Sequence, residues 1–274
     1  MNTKEKVSLF EKIRNQDYEL NKDQSAIEIM DIALSELGNL DPYIRDELAL
    51  EVAAYMIYKG YLSDDELRDL AKRLLSKDFL FYGLESQKKD SVFVRTFTSL
   101  LIAMLFRVPD QDVALTDNEL EQMYASYLDY LKSEYDYRGY VEEKGWAHFF
   151  AHSSDVLKYF FQEPSFDEKW VNEYLKTIKV IIQNDHYAFH HNEDERFKNA
   201  FMVLINRHDM DEHKALDFLG KLIVYQRTNT LPSDLIRFIN VKNILREIFF
   251  AIDQTKYPHL KKQLEKLIEQ HRVY

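Results

Sequence analysis

The stretch from Arg138 to Phe161, RGYVEEKGWAHFFAHSSDVLKYFF, gathers more chemically reactive side chains than any other short segment of this sequence. His148 and His152 stand four residues apart, a spacing that on a helix stacks the two rings and lets them chelate one divalent metal ion. Asp155 would share that face but lie roughly 10 Å from His148 along the axis, at ~1.5 Å per residue. We therefore expect Asp155 to orient His152, while the missing metal ligands come from another helix.

A helical wheel at about 100° per residue divides residues 144–161 into an apolar arc and a polar arc. The apolar arc contains Val156, Phe149, Phe160, Trp146, Leu157, Phe150 and Phe161. The polar arc contains Lys144, His148, His152, Asp155 and Tyr159, with the small residues Gly145 and Ala151 between the arcs. We expect the apolar arc to join the core and the polar arc to form the candidate site. The alternative is a hydrogen-bonded seam, because polar side chains between packed helices usually satisfy one another.

A second segment, HYAFHHNEDER at residues 186–196, concentrates histidines and acids immediately before a predicted helix. Glu193, Asp194 and Arg196 are candidates for a further set of ligands facing the helix that carries His148 and His152. The alternative is a solvated loop whose acids favour the N-terminus of the next helix through its dipole.

Two arginines occur in motifs rich in apolar residues. Arg95 lies in VFVRTFTSLL, inside a predicted buried helix, and Arg45 lies in DPYIRDE. A buried charge is costly unless it is paired, so we expect Arg95 to meet an acid or a ligand anion. The expected protein partners are Glu134, Asp136 and Asp155. Both a ladder of ion pairs between helices and an anion-binding site fit this pattern.

The composition excludes several classes of site. The sequence contains no cysteine, which excludes disulfides, thiolate catalysis and cysteine-based metal sites and fits a reducing cytoplasm. With 36 Lys and Arg against 47 Asp and Glu, the net charge of −11 argues against sequence-independent nucleic-acid binding. No glycine-rich phosphate loop, GxSxG elbow, HExxH motif or EF-hand loop is present. We expect a cytoplasmic protein without a membrane span, because no signal peptide and no run of ~20 apolar residues occurs.

Helix-forming segments dominate the chain, and glycine and proline are rare at 6 and 5 residues. Residues 24–37 precede Gly38, and Asp41 with Pro42 opens a helix to about Lys59. Capping-box patterns occur at Ser63 with Glu66, Thr116 with Glu119, and Ser165 with Glu168. Further helices are predicted at about 64–75, 90–106, 118–135, 141–161, 166–183, 194–206, 211–227, 233–253 and 259–271. No segment shows a competing strand pattern.

These elements predict an all-α fold. Helices of about 12 to 20 residues joined by short links are typical of an α-solenoid of HEAT or armadillo type, built from antiparallel helix pairs. No residue pattern recurs at a fixed period, so a compact helical bundle is the alternative. We predict a single extended domain over residues 1–274, with the loop at about 76–90 as its potential internal break.

Four segments carry motifs that can be compared with known families: DPYIRDELAL at 41–50, VFVRTFTSLLIA at 92–103, EYDYRGYVEEKGWAHFFAHSSDVL at 134–157 and NEDERF at 192–197. Together they resemble a bacterial, all-helical, HEAT-like family of unknown function with an RGYxxxKGWAHxxAHxxD core. The resemblance spans about residues 40–200, and the sequence departs from it at Asn192, where we expect glycine in most relatives. It implies that one set of residues belongs to matching motifs, which favours their meeting in space: Arg45, Asp46, Arg95, Arg138, Lys144, Trp146, His148, His152, Asp155, Glu193, Asp194 and Arg196.

The residues support three functional hypotheses. The first is a protein that binds a partner protein or a small polar or anionic ligand on a charged face around Arg95, Arg138 and the GWAHFFAHSSD stretch. The second is a metal-dependent, hydrolase-like enzyme in which His148 and His152 hold a divalent cation, with a ligand from residues 193–194. The third is a purely structural polar seam. No established cofactor is implied.

Overall fold

The structure is a computed structural model that describes residues 1–107, 115–223 and 228–270. The chain folds into two compact units. The first unit comprises Met1–Asp136 with Tyr140–Phe149, and the second comprises Tyr137–Gly139 with Phe150–Tyr274. The loop at 76–90, predicted as the potential internal break, lies inside the first unit, where Leu80 is fully buried.

The first unit consists of helices and one short hairpin. Its elements are α1 (Thr3–Asn15), α2 (Ala26–Leu34), a π-helical segment (Tyr43–Leu50) that continues into α3 (Glu51–Tyr58), α4 (Asp64–Leu74), α5 (Val92–Met104), α6 (Asp117–Ser133), β1 (Tyr140–Val141) and β2 (Gly145–Trp146). The π-helical segment packs on α1 and α2, and α5 packs on α3 and α4. As its apolar sequence predicted, α5 is buried, and the buried hydroxyls of Thr98 and Ser99 donate to carbonyls four residues back.

All regular elements in the described residues of the second unit are helices. Its elements are α7 (Phe149–Phe160), which begins at the last residue of the first unit, α8 (Glu168–Ile182), α9 (Glu193–Ile205), α10 (Glu212–Ile223), α11 (Ser233–Ala251) and α12 (Pro258–Gln270). Helix α8 packs on α10, α9 packs on α11, and α12 packs on both α10 and α11. The predicted helix at 211–227 ends at Ile223 as far as the structure describes it, because residues 224–227 lie outside the described ranges. The mainly helical fold is thus confirmed for the described chain.

Helix caps agree with most of the sequence predictions. Ser63 and Thr116 each form a reciprocal capping box with the glutamate three residues later. Asp41 accepts the Tyr43 amide at 2.9 Å, as expected for a cap beside Pro42. The capping side chains that the sequence places at these positions therefore determine where the helices begin.

Two helix starts differ from the prediction. Ser165 does not cap α8; Asp167 does, accepting the Trp170 amide at 3.1 Å. Helix α1 was not predicted, although Asn2 and Glu5 form a capping box at its first turn. Its polar sequence obscures the short apolar side that buries Phe10. Within the described ranges, no helix is long and apolar enough to cross a membrane.

The predicted helix at 141–161 is wrong in its first half. Tyr140 pairs with Trp146 and Val141 with Gly145 in an antiparallel hairpin, and α7 begins only at Phe149. Gly145 has a φ of 78° and His148 a φ of 53°, and this left-handed backbone cannot continue a right-handed helix. A Cβ on Gly145 would also lie 2.9 Å from the Cβ of Pro42. From Phe149 onwards the predicted apolar arc is confirmed in the core.

Arg95 and Glu134 form a fully buried ion pair inside the first unit, and both side chains are 0% exposed. Nε of Arg95 donates to Oε2 of Glu134 at 2.6 Å, and Nη2 donates to Oε1 at 2.7 Å. Oε1 also accepts the amides of Tyr135 and Asp136 at 3.0 Å each. Burial alone would lower the pKa of Arg95, but the hydrogen bonds and charge of Glu134 raise it overall. The expectation that Arg95 meets an acid is confirmed, and of the three expected partners Glu134 is the one.

Replacing Arg95→Met should lower the free energy of unfolding by about 3 to 5 kcal/mol, because it leaves a carboxylate buried without its counterion. The double variant Arg95→Met/Glu134→Leu should recover part of that loss. Urea denaturation measures both. Arg73→Met is the matched control, since its pair with Asp31 at 2.6 Å is 43% and 53% exposed; the cost there should stay below about 1 kcal/mol. Equal losses at Arg73 and Arg95 would contradict this account.

Candidate functional site

Each unit holds its own group of predicted site residues. Arg95, Lys144, Trp146 and His148 lie in the first unit. The second unit holds Arg138, His152, Asp155, Glu193, Asp194 and Arg196.

The first unit contains a cavity of about 570 Å³ beside the C-terminal end of α2. One wall runs from Leu34 to Leu40, and the other runs from Asp78 to Val94. The volume is in the range of ~300–1,000 Å³ that small-molecule sites occupy. Its polar and aromatic lining consists of Ser35, Glu36, Asn39, Asp78, Phe79, Tyr82, Lys88, Lys89, Asp90 and Ser91.

Arg45 fixes the first wall of this cavity. The side chain is fully buried, and Nη1 donates to the carbonyl of Asn39 at 2.8 Å. Nη2 donates to the carbonyl of Lys144 in the hairpin turn at 2.6 Å. The guanidinium lies over the rings of Phe93 and Phe97, 4.2 and 4.6 Å from their centres. One buried cation thus ties the first wall, α5 and the hairpin together.

Asp46 is the carboxylate beside Arg45, with Oδ1 2.7 Å from Nε. Burial raises the pKa of Asp46 from 3.8 to about 6, although the charge of Arg45 opposes that shift. Burial likewise lowers the pKa of Arg45, against the charge of Asp46. The desolvation of both groups therefore offsets much of their attraction.

Arg95 fixes the second wall. Nη1 donates to the carbonyl of Tyr82 at 2.8 Å and to Oγ of Ser91 at 2.6 Å. Since Glu134 already binds Nε and Nη2, the guanidinium acts in this conformation on the wall rather than on the cavity contents. The ligand-binding role of Arg95 stays a prediction, and in this arrangement its guanidinium binds Glu134, Tyr82 and Ser91.

Lysines neutralise two of the acids that line the cavity. Nζ of Lys144 lies 2.6 Å from Oδ2 of Asp90. Nζ of Lys6 lies 2.5 Å from Oε1 of Glu36, and Oε2 of Glu36 accepts a hydrogen bond from the side-chain Nδ2 of Asn39 at 2.6 Å. Lys144, predicted as a site residue, thus contacts the cavity lining through Asp90.

Two further lysines line the cavity without such neutralisation. Nζ of Lys88 donates to the hydroxyl of Tyr82 at 3.1 Å, a neutral partner, and Lys89 is exposed beside it. Within the described ranges neither lysine forms an ion pair. The remaining lining acid, Asp78, is exposed. The cavity is therefore locally positive in a chain whose net charge is −11.

Three aromatic rings contact one another in and just after the hairpin. Trp146 stacks on His148 at 4.5 Å and 22°, and Tyr140 meets the edge of Trp146 at 4.9 Å and 71°. Because His148 precedes α7, the helical spacing that suggested a metal site with His152 does not exist. In the part of the chain that the structure describes, no group of three or more His, Asp or Glu side chains could hold a metal ion.

In the second unit, Asp155 forms an ion pair with Arg196. Nη1 of Arg196 donates to both carboxylate oxygens at 2.9 Å. Burial raises the pKa of Asp155, and the charge of Arg196 opposes the shift. The side chain of Asp194 accepts the amide of Glu195 at 3.0 Å, and Arg138 is half-buried. The resemblance favoured a meeting of these motif residues. Of this set, Asp155 and Arg196 contact each other.

Glu193 is the most buried acid of the second unit, 1% exposed at the first residue of α9. Oε2 accepts the amide of His191 at 2.7 Å, and Oε1 accepts no hydrogen bond from the described residues. The hydroxyl of Tyr187 accepts the amide of Gly139 at 2.8 Å and lies 3.1 Å from Nδ1 of His191. Burial raises the pKa of Glu193 and lowers that of His191. Both groups are thereby held toward their neutral forms.

The cavity lysines and Asn39 are cavity-lining residues that the sequence did not indicate. The sequence predicts a loop over residues 76–90 that contains Lys88 and Lys89, and Asn39 lies outside the motifs. The available signal was a lysine pair within an acidic chain, directly before the predicted buried helix. The lysine pair lines a cavity only because the first wall, at residues 34–40, packs beside it.

Comparison with known proteins gives one family. The model described as "Protein of unknown function (DUF2785)" matches residues 80–250, more than half of the 274 residues. That range includes Lys88, Arg95 and the hairpin, while Arg45 precedes it. No curated protein and no solved structure matches the chain.

Asp46→Asn should stabilise the protein at pH 7.5 by about 1 to 3 kcal/mol, at ~1.4 kcal/mol per pKa unit. The folded pKa of about 6 lies above the ordinary 3.8, so ionising Asp46 costs stability. The cost grows as the pH rises from about 4 to above 6, and it vanishes below both the ordinary and the folded pKa of Asp46. Urea denaturation of both proteins between pH 4 and pH 8 gives the difference. A difference that does not change with pH would contradict the assignment.

Gly139→Ala should destabilise the second unit by about 1 to 3 kcal/mol, because overpacking forces its neighbours apart. The added Cβ would lie 2.4 Å from Nδ1 of His191, 2.8 Å from the Tyr187 hydroxyl and 2.9 Å from Oε1 of Glu193. Gly220→Ala is the matched control, since no atom lies within 4 Å and the site is inside α10. That change should be neutral or stabilising by up to about 1 kcal/mol. Thermal unfolding that ranks the two variants the other way would refute the crowded cluster.

Proposed function

Because the chain belongs to the DUF2785 family, whose function is unknown, we propose a function from its own residues: the protein binds a small organic anion in the cavity of its first unit. This choice develops the first sequence hypothesis, a small polar or anionic ligand. The GWAH stretch contributes through Lys144, which holds the cavity lining.

One observation carries the proposal: three motif cations hold the lining of a single cavity. Arg45 binds the carbonyl of Asn39, Arg95 binds the carbonyl of Tyr82, and Lys144 binds Asp90. A fixed lining supports binding, because side chains and loops that are already ordered lose little entropy when a ligand arrives. The buried arginines would thus act on a ligand indirectly, through the walls.

The charge and shape of the lining indicate the class of ligand. Four lysines meet three acids around the cavity, with Lys88 and Lys89 left outside ion pairs. Phe79 and Tyr82 add aromatic surface. A carboxylate or phosphate attached to a planar apolar group complements both features.

A larger cavity of about 810 Å³ in the first unit is a weaker candidate. Its lining includes Lys77 and Glu85, which lie 2.8 Å apart and bind each other. Leu75, Phe81 and Leu84 supply its apolar side chains, and the rest of its lining is uncharged. No charge there is left to select a ligand.

We also keep the HEAT-like solenoid as a proposal. In the second unit α8 packs on α10, α9 on α11 and α10 on α12. Contacts between helices two apart in the chain are typical of stacked helix pairs. A crystal structure in which successive helix pairs superpose by one constant rotation would support this arrangement. Unrelated rotations would support a bundle.

The ligand proposal predicts binding of simple aromatic anions. Phenyl phosphate and benzoate should bind with Kd values at or below ~1 mM, while benzamide, the neutral isostere of benzoate, should not. Isothermal titration calorimetry at constant ionic strength measures all three, because screening changes with salt. Lys88→Ala/Lys89→Ala should weaken phenyl phosphate binding at least about tenfold.

The matched control is Lys4→Ala/Lys12→Ala, which removes the same charge from exposed positions of α1. Binding by this control should stay within about threefold of the native protein. Two outcomes would sink the proposal: benzoate and benzamide binding equally, or both double variants losing affinity equally. Failure of the native protein to bind either anion would also do so.

A further inference from the structure

The hairpin carries the most exposed aromatic surface among the motif residues. Tyr140 is 50% exposed and Trp146 is 39% exposed. The ring of Trp146 stacks on that of the buried His148, and the ring of Tyr140 meets that of Trp146 edge-on. We call Tyr140, Trp146 and His148 the hairpin platform. The anion cavity does not use these rings.

The hairpin platform is held rigidly. Tyr140 and Trp146 are cross-strand partners in the two-stranded ladder. Arg45 binds the carbonyl of Lys144 in the turn at 2.6 Å, and the side chain of Lys144 binds Asp90 at 2.6 Å. Rigid aromatic rings lose little entropy on binding, which is why tyrosine and tryptophan dominate the energetic centres of protein interfaces.

The charge beside the platform selects the kind of partner. Glu142 and Glu143 occupy the turn between the strands, and both side chains are exposed. A guanidinium can stack on an indole ring and donate to carboxylates at the same time, whereas an ammonium lacks the planar face. The net charge of −11 adds a long-range attraction for basic surfaces.

We propose that the hairpin platform docks an arginine-bearing segment of a partner protein, with an arginine side chain on Trp146 and its donors on Glu142 and Glu143. This surface is separate from the cavity, so it adds a partner to the ligand-binding function. A ligand in the cavity and a partner on the hairpin would share one link, Lys144.

Tryptophan fluorescence tests the proposal directly. The chain has two tryptophans, so Trp170→Phe leaves Trp146 as the single reporter. Titration with the peptide acetyl-GRGRGRG-amide should change the Trp146 emission saturably. The glycine–lysine peptide of equal charge should bind at least about threefold more weakly, and the glycine–glutamate peptide should produce no change.

Charge variants separate docking from bulk attraction. Glu142→Lys/Glu143→Lys should raise the Kd for the arginine peptide at least about tenfold, or ~1.4 kcal/mol. Glu265→Lys/Glu269→Lys makes the same charge change at exposed positions of α12 and should leave Kd within about threefold. Equal weakening by the two double variants would overturn the proposal, because it would reduce binding to net charge.

Ring variants test the platform itself by anisotropy of a labelled arginine peptide. Trp146→Ala should abolish binding, and Trp146→Phe should retain part of it, which also covers a failure of the alanine variant to fold. Phe250→Ala is the control, since Phe250 is 78% exposed on α11. Absence of binding by the native protein overturns the proposal. So does sedimentation showing that Trp146→Ala removes a self-association instead, because the occupant would then be a second copy of this chain.

Discussion

The burial of two guanidinium groups is the constraint on which the first unit depends. Arg45 and Arg95 are fully buried, and an unpaired charge in that position would cost several kcal/mol. Glu134 forms an ion pair with Arg95 through two hydrogen bonds. The charge of Arg45 is stabilised instead by backbone carbonyls, by aromatic rings and by Asp46. Each arginine therefore requires particular loops to close around it. Those loops are the walls of the cavity.

This arrangement unites two hypotheses that the sequence set apart. The structural seam of the third hypothesis stays a prediction. Our proposal adds that Arg45, Arg95 and Lys144 hold a cavity lining suited to a ligand. Arg95 and Lys144 hold Tyr82, Ser91 and Asp90 in place, whereas Lys88 and Lys89 supply the charge that an anion would meet. In our proposal, structural and binding roles thus fall on different residues of the same cavity lining.

Sequence alone predicted what local chemistry determines. Capping residues and apolar periodicity located most helices, and the cost of a buried charge identified an acid partner for Arg95. The sequence did not predict the hairpin, because a helical wheel assumes a helical backbone throughout. Gly145 was a local sign that the chain turns there. The cavity escaped because its walls, near Asn39 and Lys88, meet only through tertiary packing. In the second unit, the contact between Asp155 and Arg196 was implied by the resemblance and not by spacing.

A crystal structure of the protein with bound phenyl phosphate tests the central claim most directly. The account predicts the phosphate within about 3 Å of the ammonium groups of Lys88 or Lys89. It also predicts that Arg45 still binds Asn39 and that Arg95 still binds Tyr82. A phosphate bound instead to Arg95, or to His148 and His152, would contradict the division between positioning arginines and binding lysines.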